Sequence, residues 1–473
     1  LPLFRRLGGF SAYEYLERRF GLAVRSLAAG IFMLWRLGWM AAALYTPSLA
    51  IAVASGHREH IVPIVIVLGA IVTFYTMAGG IRAVIWNDVA QFCVMFGGLA
   101  ATLIIILLTV DGGFSTIVSN VTKLGPDAPV SDAKGGLLAY FFLPMPAMGY
   151  LLSTLVTRIA TYTSDQVMVQ RFQTSKSIRE ARRGFLITAI GVAAWMLALC
   201  FVGLALFTYF ETQGPPPPEI RANEDQLFPY YMGQVFPAGL TGLVIAAIFA
   251  ASLSSIDSAI NSLSTVAAVD FYHRLFRGRA DAALGGAVSD AERRRQLWVS
   301  RAITLVVGLI GIALACNVSK LGTIFEIANK LVNGFTGPLL GIFLLGMFTK
   351  RANTRGVFLG GLVGTCVSLY AILWSSPGLL NESFAFLLGL FPAAVANGGA
   401  VLSFIWPAVF GLVVTLLGGY LFSLAAPRVT DAAREWNWFA ITARPLPREV
   451  DTPRAATPKP AADEPTLGGR EAT

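Results

Sequence analysis

The chain has 473 residues, of which 55% are hydrophobic and 13% charged, with a formal net charge of +9. A soluble domain carries about 25% charged residues, so this composition excludes an ordinary soluble enzyme or nucleic-acid-binding module. It implies an all-α polytopic membrane protein.

Crossing about 30 Å of hydrocarbon as a helix takes roughly 20 apolar residues. Ten segments qualify: 25–54, 61–79, 83–110, 137–163, 185–211, 237–267, 298–318, 323–348, 354–374 and 402–425. The stretch 383–398 is shorter, is interrupted by Pro392 and Gly398, and reads as a re-entrant candidate. Basic residues collect in every second loop: Arg5, Arg6, Arg18 and Arg19; Arg171 to Arg183; Arg274 to Arg295; Lys350, Arg351 and Arg355. By the positive-inside rule these loops and both termini are cytoplasmic, which an even number of spans satisfies. Residues 1–24 are then a cytoplasmic basic segment, 25–425 the membrane domain and 426–473 a cytoplasmic tail. In that tail Trp436, Trp438 and Phe439 suit a membrane surface, and the Pro-, Ala- and charge-rich composition from Pro445 onward suits disorder. The chain starts with Leu rather than Met and has no signal-peptide pattern, as expected of a truncated start.

The sixth span is the most informative. Between Ala251 and Thr265 it carries hydroxyls, one carboxylate and one amide in an otherwise apolar stretch. At helical spacing Ser254, Asp257, Ser258, Asn261 and Thr265 share one face, with Ser255 and Ser262 beside it. Polar groups at membrane depth pair inside the protein and mark an ion or solute path. Against this stands back-bonding of Ser and Thr to their own helix. Arg36 and Arg158 are intramembrane cations, and a guanidinium matches a carboxylate bidentately; pairing with a protein carboxylate or reaching for an interface is the competing reading. Glu326 and Lys330 are spaced for an i,i+4 ion pair, and Gly356, Gly360 and Gly364 form a tandem G-x-x-x-G for close helix packing. Cys93, Cys200, Cys316 and Cys366 read as buried small hydrophobes, and the histidines form no metal cluster. No Walker A, G-x-S-x-G or H-E-x-x-H pattern is present, so neither ATP-driven transport nor a hydrolase is supported.

Five blocks taken together resemble the sodium/solute symporter family. They are RRLGGFSAYEYLERRFG (5–21), GGIRAVIWNDVAQ (79–91), SDQVMVQRFQTSKSIREARR (164–183), Ala246 to Tyr272, and GPLLGIFLLGMFTKR (337–351). The resemblance implies a LeuT-like core of two inverted five-helix repeats with binding sites at midmembrane. It places the ten spans as core helices 3 to 10 plus two peripheral ones, so that core helices 1 and 2 and a leading peripheral helix are expected upstream of Leu1, in about 80 further residues at roughly 20 per span plus loops.

Carried over residue by residue, the resemblance implies a sodium site made by the Ala251 carbonyl and the Ser254 and Ser255 hydroxyls, oxygen donors that suit a hard cation. It implies a second cation site at Asp88 with Ser254, Asp257 and Ser258; opening the third span as a helix cap is the alternative for Asp88. Arg36, Arg158, Thr161, Tyr162 and Asn329 correspond to solute-contacting or gating positions. Together these imply a sodium-coupled symporter, not an enzyme and without a cofactor, importing a sugar, acidic sugar or carboxylate across a bacterial inner membrane by alternating access. A proton-coupled symporter, with Asp88 or Asp257 titrating, and a solute-sensing membrane module remain as alternatives.

Overall fold

The computed structural model describes residues 11–121, 146–173, 178–276, 290–376, 402–425 and 435–443. The re-entrant candidate 383–398, the segment 137–145 and the tail from Pro445 lie outside the described residues. Within them the chain is helical and without strands: α1 (Ala12–Phe20), α2 (Leu22–Ala54), α3 (Ile61–Thr109), α4 (Gly113–Val121), α5 (Ala147–Ser164), α6 (Gln166–Gln173), α7 (Ile178–Gln213), α8 (Leu227–Val235), α9 (Ala238–Val266), α10 (Asp290–Ala315), α11 (Ile324–Phe348), α12 (Thr354–Trp374), α13 (Trp406–Leu424) and α14 (Trp438–Ala443), with a few short turns of helix between them. Among the described residues nine helical segments are long and apolar enough to cross a bilayer. The tenth expected span is represented by the 18 residues of α5, whose Ser, Thr and Arg158 content dilutes its hydropathy.

The two spans expected at 61–79 and 83–110 share one unbroken 49-residue helical backbone, α3. Asn87 and Asp88 therefore lie inside a helix, and the capping reading of Asp88 fails. Straight, α3 would measure about 74 Å at 1.5 Å per residue, far more than a bilayer. It cannot be straight. Thr76 Oγ1 and Asn87 Nδ2 reach the two oxygens of one carboxylate, at 3.0 and 3.1 Å, whereas a straight helix would separate their backbones by about 16 Å. The bend falls between Thr76 and Asn87.

Helix α9 outruns its expected end by continuing as π-helix through Ala267–Phe276. The extra residue per turn of that geometry is a device found at functional sites, and here it carries the fully buried Asp270. The short α1 packs beneath the membrane helices. Ser11 caps it by accepting the Tyr13 N–H, and Gly21, at φ 95, ends it in a left-handed conformation that turns the chain into α2. Arg19, 2% exposed, donates to the Gly346 and Thr349 carbonyls at the end of α11, where a cation complements the helix dipole.

Helix α11 is the most enclosed span, 78% buried over its most apolar window, against 6% for α7. The tandem glycines of α12 lie against α13: Gly356 faces Ser423, Gly360 faces the Gly419 backbone, and Gly364 faces Thr415. Lys330 pairs with Glu326 at 3.3 Å, as its spacing predicts. The cysteines depart from expectation, since Cys93, Cys200 and Cys366 are exposed and Cys316 half-buried. Cys93, Cys200 and Cys366 sit on outer faces of apolar helices, where a thiol meets lipid as readily as a core, while Cys316 packs against a core cluster in the turn after α10.

Candidate ion and solute site

Helix α9 runs between the two arms of α3, and the polar stripe read from its sequence meets polar groups on both. Asp257 is fully buried. Its Oδ1 accepts from Tyr75 Oη at 2.7 Å and Thr76 Oγ1 at 3.0 Å, and its Oδ2 from Asn87 Nδ2. Three donors thus answer a carboxylate that an apolar interior would otherwise penalise heavily. One turn earlier, Ser254 Oγ donates to Asp88 Oδ1 at 2.8 Å. Ser255 Oγ turns to the carbonyl of Ala251, 3.3 Å away. Ser258 is half-buried on the same face.

The residues expected to hold cations therefore fall into two adjoining groups. Ala251 O and Ser255 Oγ are in contact, Asp88 and Ser254 are in contact, and Ser254 belongs to both sets. Clustered neutral and anionic oxygens are what a hard monovalent cation needs. Farther along the stripe Thr265 bonds the Asn261 carbonyl and Ser262 that of Ala259, so these hydroxyls, like that of Ser255 on Ala251, bond their own helix.

On α2, Arg36 forms an ion pair with Asp165, which is fully buried at the junction of α5 and α6. The guanidinium lies 4.9 Å from the Trp35 ring centroid and 5.9 Å from that of Phe32. Its Nε is buried without a partner among the described residues. The other expected solute residues are arranged differently. Arg158 is exposed and makes no ion pair among the described residues. Thr161 bonds the Thr157 carbonyl at 2.8 Å, Asn329 bonds the Phe325 carbonyl at 2.9 Å, and Tyr162 meets Phe185 edge to face at 5.0 Å. The interior thus receives Arg36 but not Arg158.

Asp165, Tyr75, Thr76 and Asn87 are structural partners that the sequence reading assigned no role. Asp165 and Asn87 stand inside quoted blocks, S-D-Q and W-N-D, so a signal was present. Tyr75 and Thr76 had none beyond being polar in a span.

The profile of the sodium:solute symporter family matches residues 1–364. The chain belongs to that family. It is 32% identical over 400 residues to the sodium/sialic acid symporter SiaT of Proteus mirabilis, covering 84% of this chain and 76% of the relative. The sodium/sialic acid symporter NanT of Aliivibrio fischeri is 31% identical, with 79% and 70% covered. Human sodium-coupled monocarboxylate transporter 1 is 30% identical over 78% of this chain, which spans 58% of that relative. Among solved structures, a substrate-bound outward-open Na+-coupled sialic acid symporter superposes with a TM-score of 0.69 at 27% identity, covering 91% of this chain and 80% of the other. The fold is the LeuT-like one expected, and the family member described here is a multi-pass sodium-coupled membrane transporter rather than an enzyme.

Proposed function

We propose that this symporter couples sodium entry to uptake of a small carboxylate-bearing solute, an acidic sugar or a monocarboxylate, across a bacterial inner membrane with both chain ends cytoplasmic. The observation that carries the solute class is Arg36, a guanidinium held inside the protein among aromatic rings with a buried donor to spare. Asp165 already answers the charge of Arg36, but it leaves the Nε donor without an acceptor among the described residues, and a second edge of the guanidinium suits a second carboxylate. The names of the relatives, sialic acid and monocarboxylate symporters, support the same chemistry.

In this reading sodium is bound by the Ala251 carbonyl and the Ser254 and Ser255 hydroxyls. A second cation is bound by Asp88 with Ser254, Ser258 and Asp257, whose charge is shared with its three donors. Thr161, Tyr162 and Asn329 line the solute route, and Arg158 stands at its margin. Each sodium moved inward releases about 2.3 kcal/mol per 100 mV, and a tenfold concentration gradient adds about 1.4 kcal/mol. With a monoanionic solute, one ion per cycle is electroneutral and supports only about tenfold accumulation, whereas two ions carry one net charge inward and support accumulation on the order of several thousandfold. Nothing is bonded or cleaved in the solute.

The test is uptake into proteoliposomes, comparing sialic acid, lactate and a neutral hexose, with and without a sodium gradient at fixed pH. Sodium-dependent accumulation of a carboxylate alone, weakened at least tenfold by Arg36→Lys, is expected. Uptake restricted to the hexose would overturn the solute class, and uptake driven by a pH gradient without sodium would make the protein proton-coupled.

A further inference from the structure

Three consecutive residues at the α5–α6 junction hold two different parts of the molecule. The Ser164 carbonyl accepts from Tyr13 Oη at 3.0 Å, Asp165 pairs with Arg36, and Gln166 Oε1 accepts the Ala12 N–H at 2.7 Å. Between the two helices Asp165 is extended, at φ −81 and ψ 118, and its Oδ1 caps α6 by accepting the Val167 N–H at 3.0 Å. The two flanking contacts dock α1, which is fastened at its start by Ser11 Oγ donating to Asp270 at 3.0 Å and along its length by Glu17 with Arg25 and Arg274. One junction therefore joins the interior arginine to the cytoplasmic helix.

Arg36 is incompletely satisfied by Asp165. A guanidinium offers five donors and can take a carboxylate on each of two edges, while the Nε of Arg36 is buried with no acceptor among the described residues. An incoming carboxylate finds that donor vacant. Once it is bound, two anions flank one cation in a poorly solvated site, and their mutual repulsion loosens the resident one. Building on the carboxylate reading above, we infer that Asp165 is the built-in competitor of the solute's carboxylate for Arg36, and that its release slackens the 164–166 junction and undocks α1. Asp165 is thus a positioning residue through which solute occupancy reaches the cytoplasmic face. The solute's own charge supplies the signal, so a neutral analogue of the same shape binds without sending it.

The experiment uses the full-length transporter in nanodiscs with saturating sodium, and sialic acid, lactate and a neutral hexose as probes. Asp165→Asn removes the competitor at constant size, so affinity for whichever carboxylate binds the wild type rises about tenfold, while maximal uptake falls and hexose affinity does not change. Asp165→Glu, which retains the competing charge, stays within about threefold of wild type. In the wild type, amide hydrogen exchange across Ala12–Phe20 accelerates on adding the carboxylate; in Asp165→Asn it is fast throughout. An Asp165→Asn protein that inserts normally but binds carboxylates no tighter overturns the inference. Should that variant fail to insert, unchanged exchange of α1 in carboxylate-saturated wild type does the same. Arg36→Lys separates the two levels. If it leaves carboxylate affinity intact, or if neither carboxylate binds the wild type, the underlying solute reading fails and this inference with it; if it weakens affinity while Asp165→Asn does not strengthen it, the competitor role alone fails.

Discussion

Ser254 Oγ stands 2.8 Å from Asp88 Oδ1, joining α9 to the second arm of α3 at the point where the two proposed cation sites adjoin. A hydroxyl shared in this way makes the sites interdependent, and the two neighbouring serines become unequal.

Ser254→Ala removes an oxygen from both sites, whereas Ser255→Ala removes one from the first alone. The sodium concentration for half-maximal uptake is expected to rise about tenfold or more in Ser254→Ala and by less in Ser255→Ala. The double mutant should exceed either, with helix propensity scarcely altered. Sodium titration of uptake in well-inserted protein checks the order; equal shifts would deny that Ser254 is shared between the sites, and absent shifts would remove both serines from the ion path.

Replacing Asp257 by Leu should be a stability lesion first. The change strands Tyr75, Thr76 and Asn87 in the interior, and each unsatisfied donor costs about 1–3 kcal/mol. A drop of several degrees in the unfolding midpoint in detergent is expected, with Asp257→Asn in between. A Leu variant as stable as wild type would mean that water replaces the carboxylate.

The α12–α13 seam contains its own control. A Cβ on Gly360 would meet backbone atoms of Gly419 and, at 3.0 Å, the Thr415 carbonyl. On Gly418 the nearest atoms lie 3.6 Å away, in the Phe422 ring. Gly360→Ala is expected to cost about 1–3 kcal/mol through overpacking, while Gly418→Ala is neutral or gains up to about 1 kcal/mol in helix propensity. Thermal unfolding of the two variants side by side decides.

Acid should weaken the ion cluster around Glu17. Burial alone would raise the pKa of Glu17, but hydrogen bonds and charge from Arg274 and Arg25 outweigh it and hold the carboxyl below its ordinary value of 4.5. A carboxyl depressed in the folded state contributes stability above its unfolded pKa, and that contribution disappears as pH falls through the folded value. Melting temperature should therefore decline from about pH 5 downward, and Glu17→Gln should be less stable near neutrality with a flatter acid limb. Parallel limbs for the two proteins would assign the acid loss elsewhere.

The spans, the glycine seam and the Glu326–Lys330 pair were legible because each is periodic over a few residues, and local periodicity survives folding. Asp257 was legible as a polar residue in a span, but its donors were not, since Tyr75 and Thr76 meet it through a bend in α3 that hydropathy reads as a loop. The Arg36–Asp165 pair joins positions 129 apart in the chain. Charge complementarity alone left Arg36 several equally good carboxylates, and the right one stood in a motif noticed for other reasons. The cysteines misled because burial in protein and exposure to lipid demand the same apolar surroundings, so hydropathy does not separate them.

The contrast between α11, 78% buried, and α7, 6% buried, bears on how such a chain can drift over generations. Apart from the buried Val202, Ala205, Leu206 and Thr208, helix α7 is constrained chiefly as an average, since most of its side chains face outward and need only stay apolar. Helix α11 is constrained position by position, its neighbours fixed on nearly every side. Two lineages parting from this ancestor would soon become unrecognisable to each other along α7, while α11 would still betray their kinship.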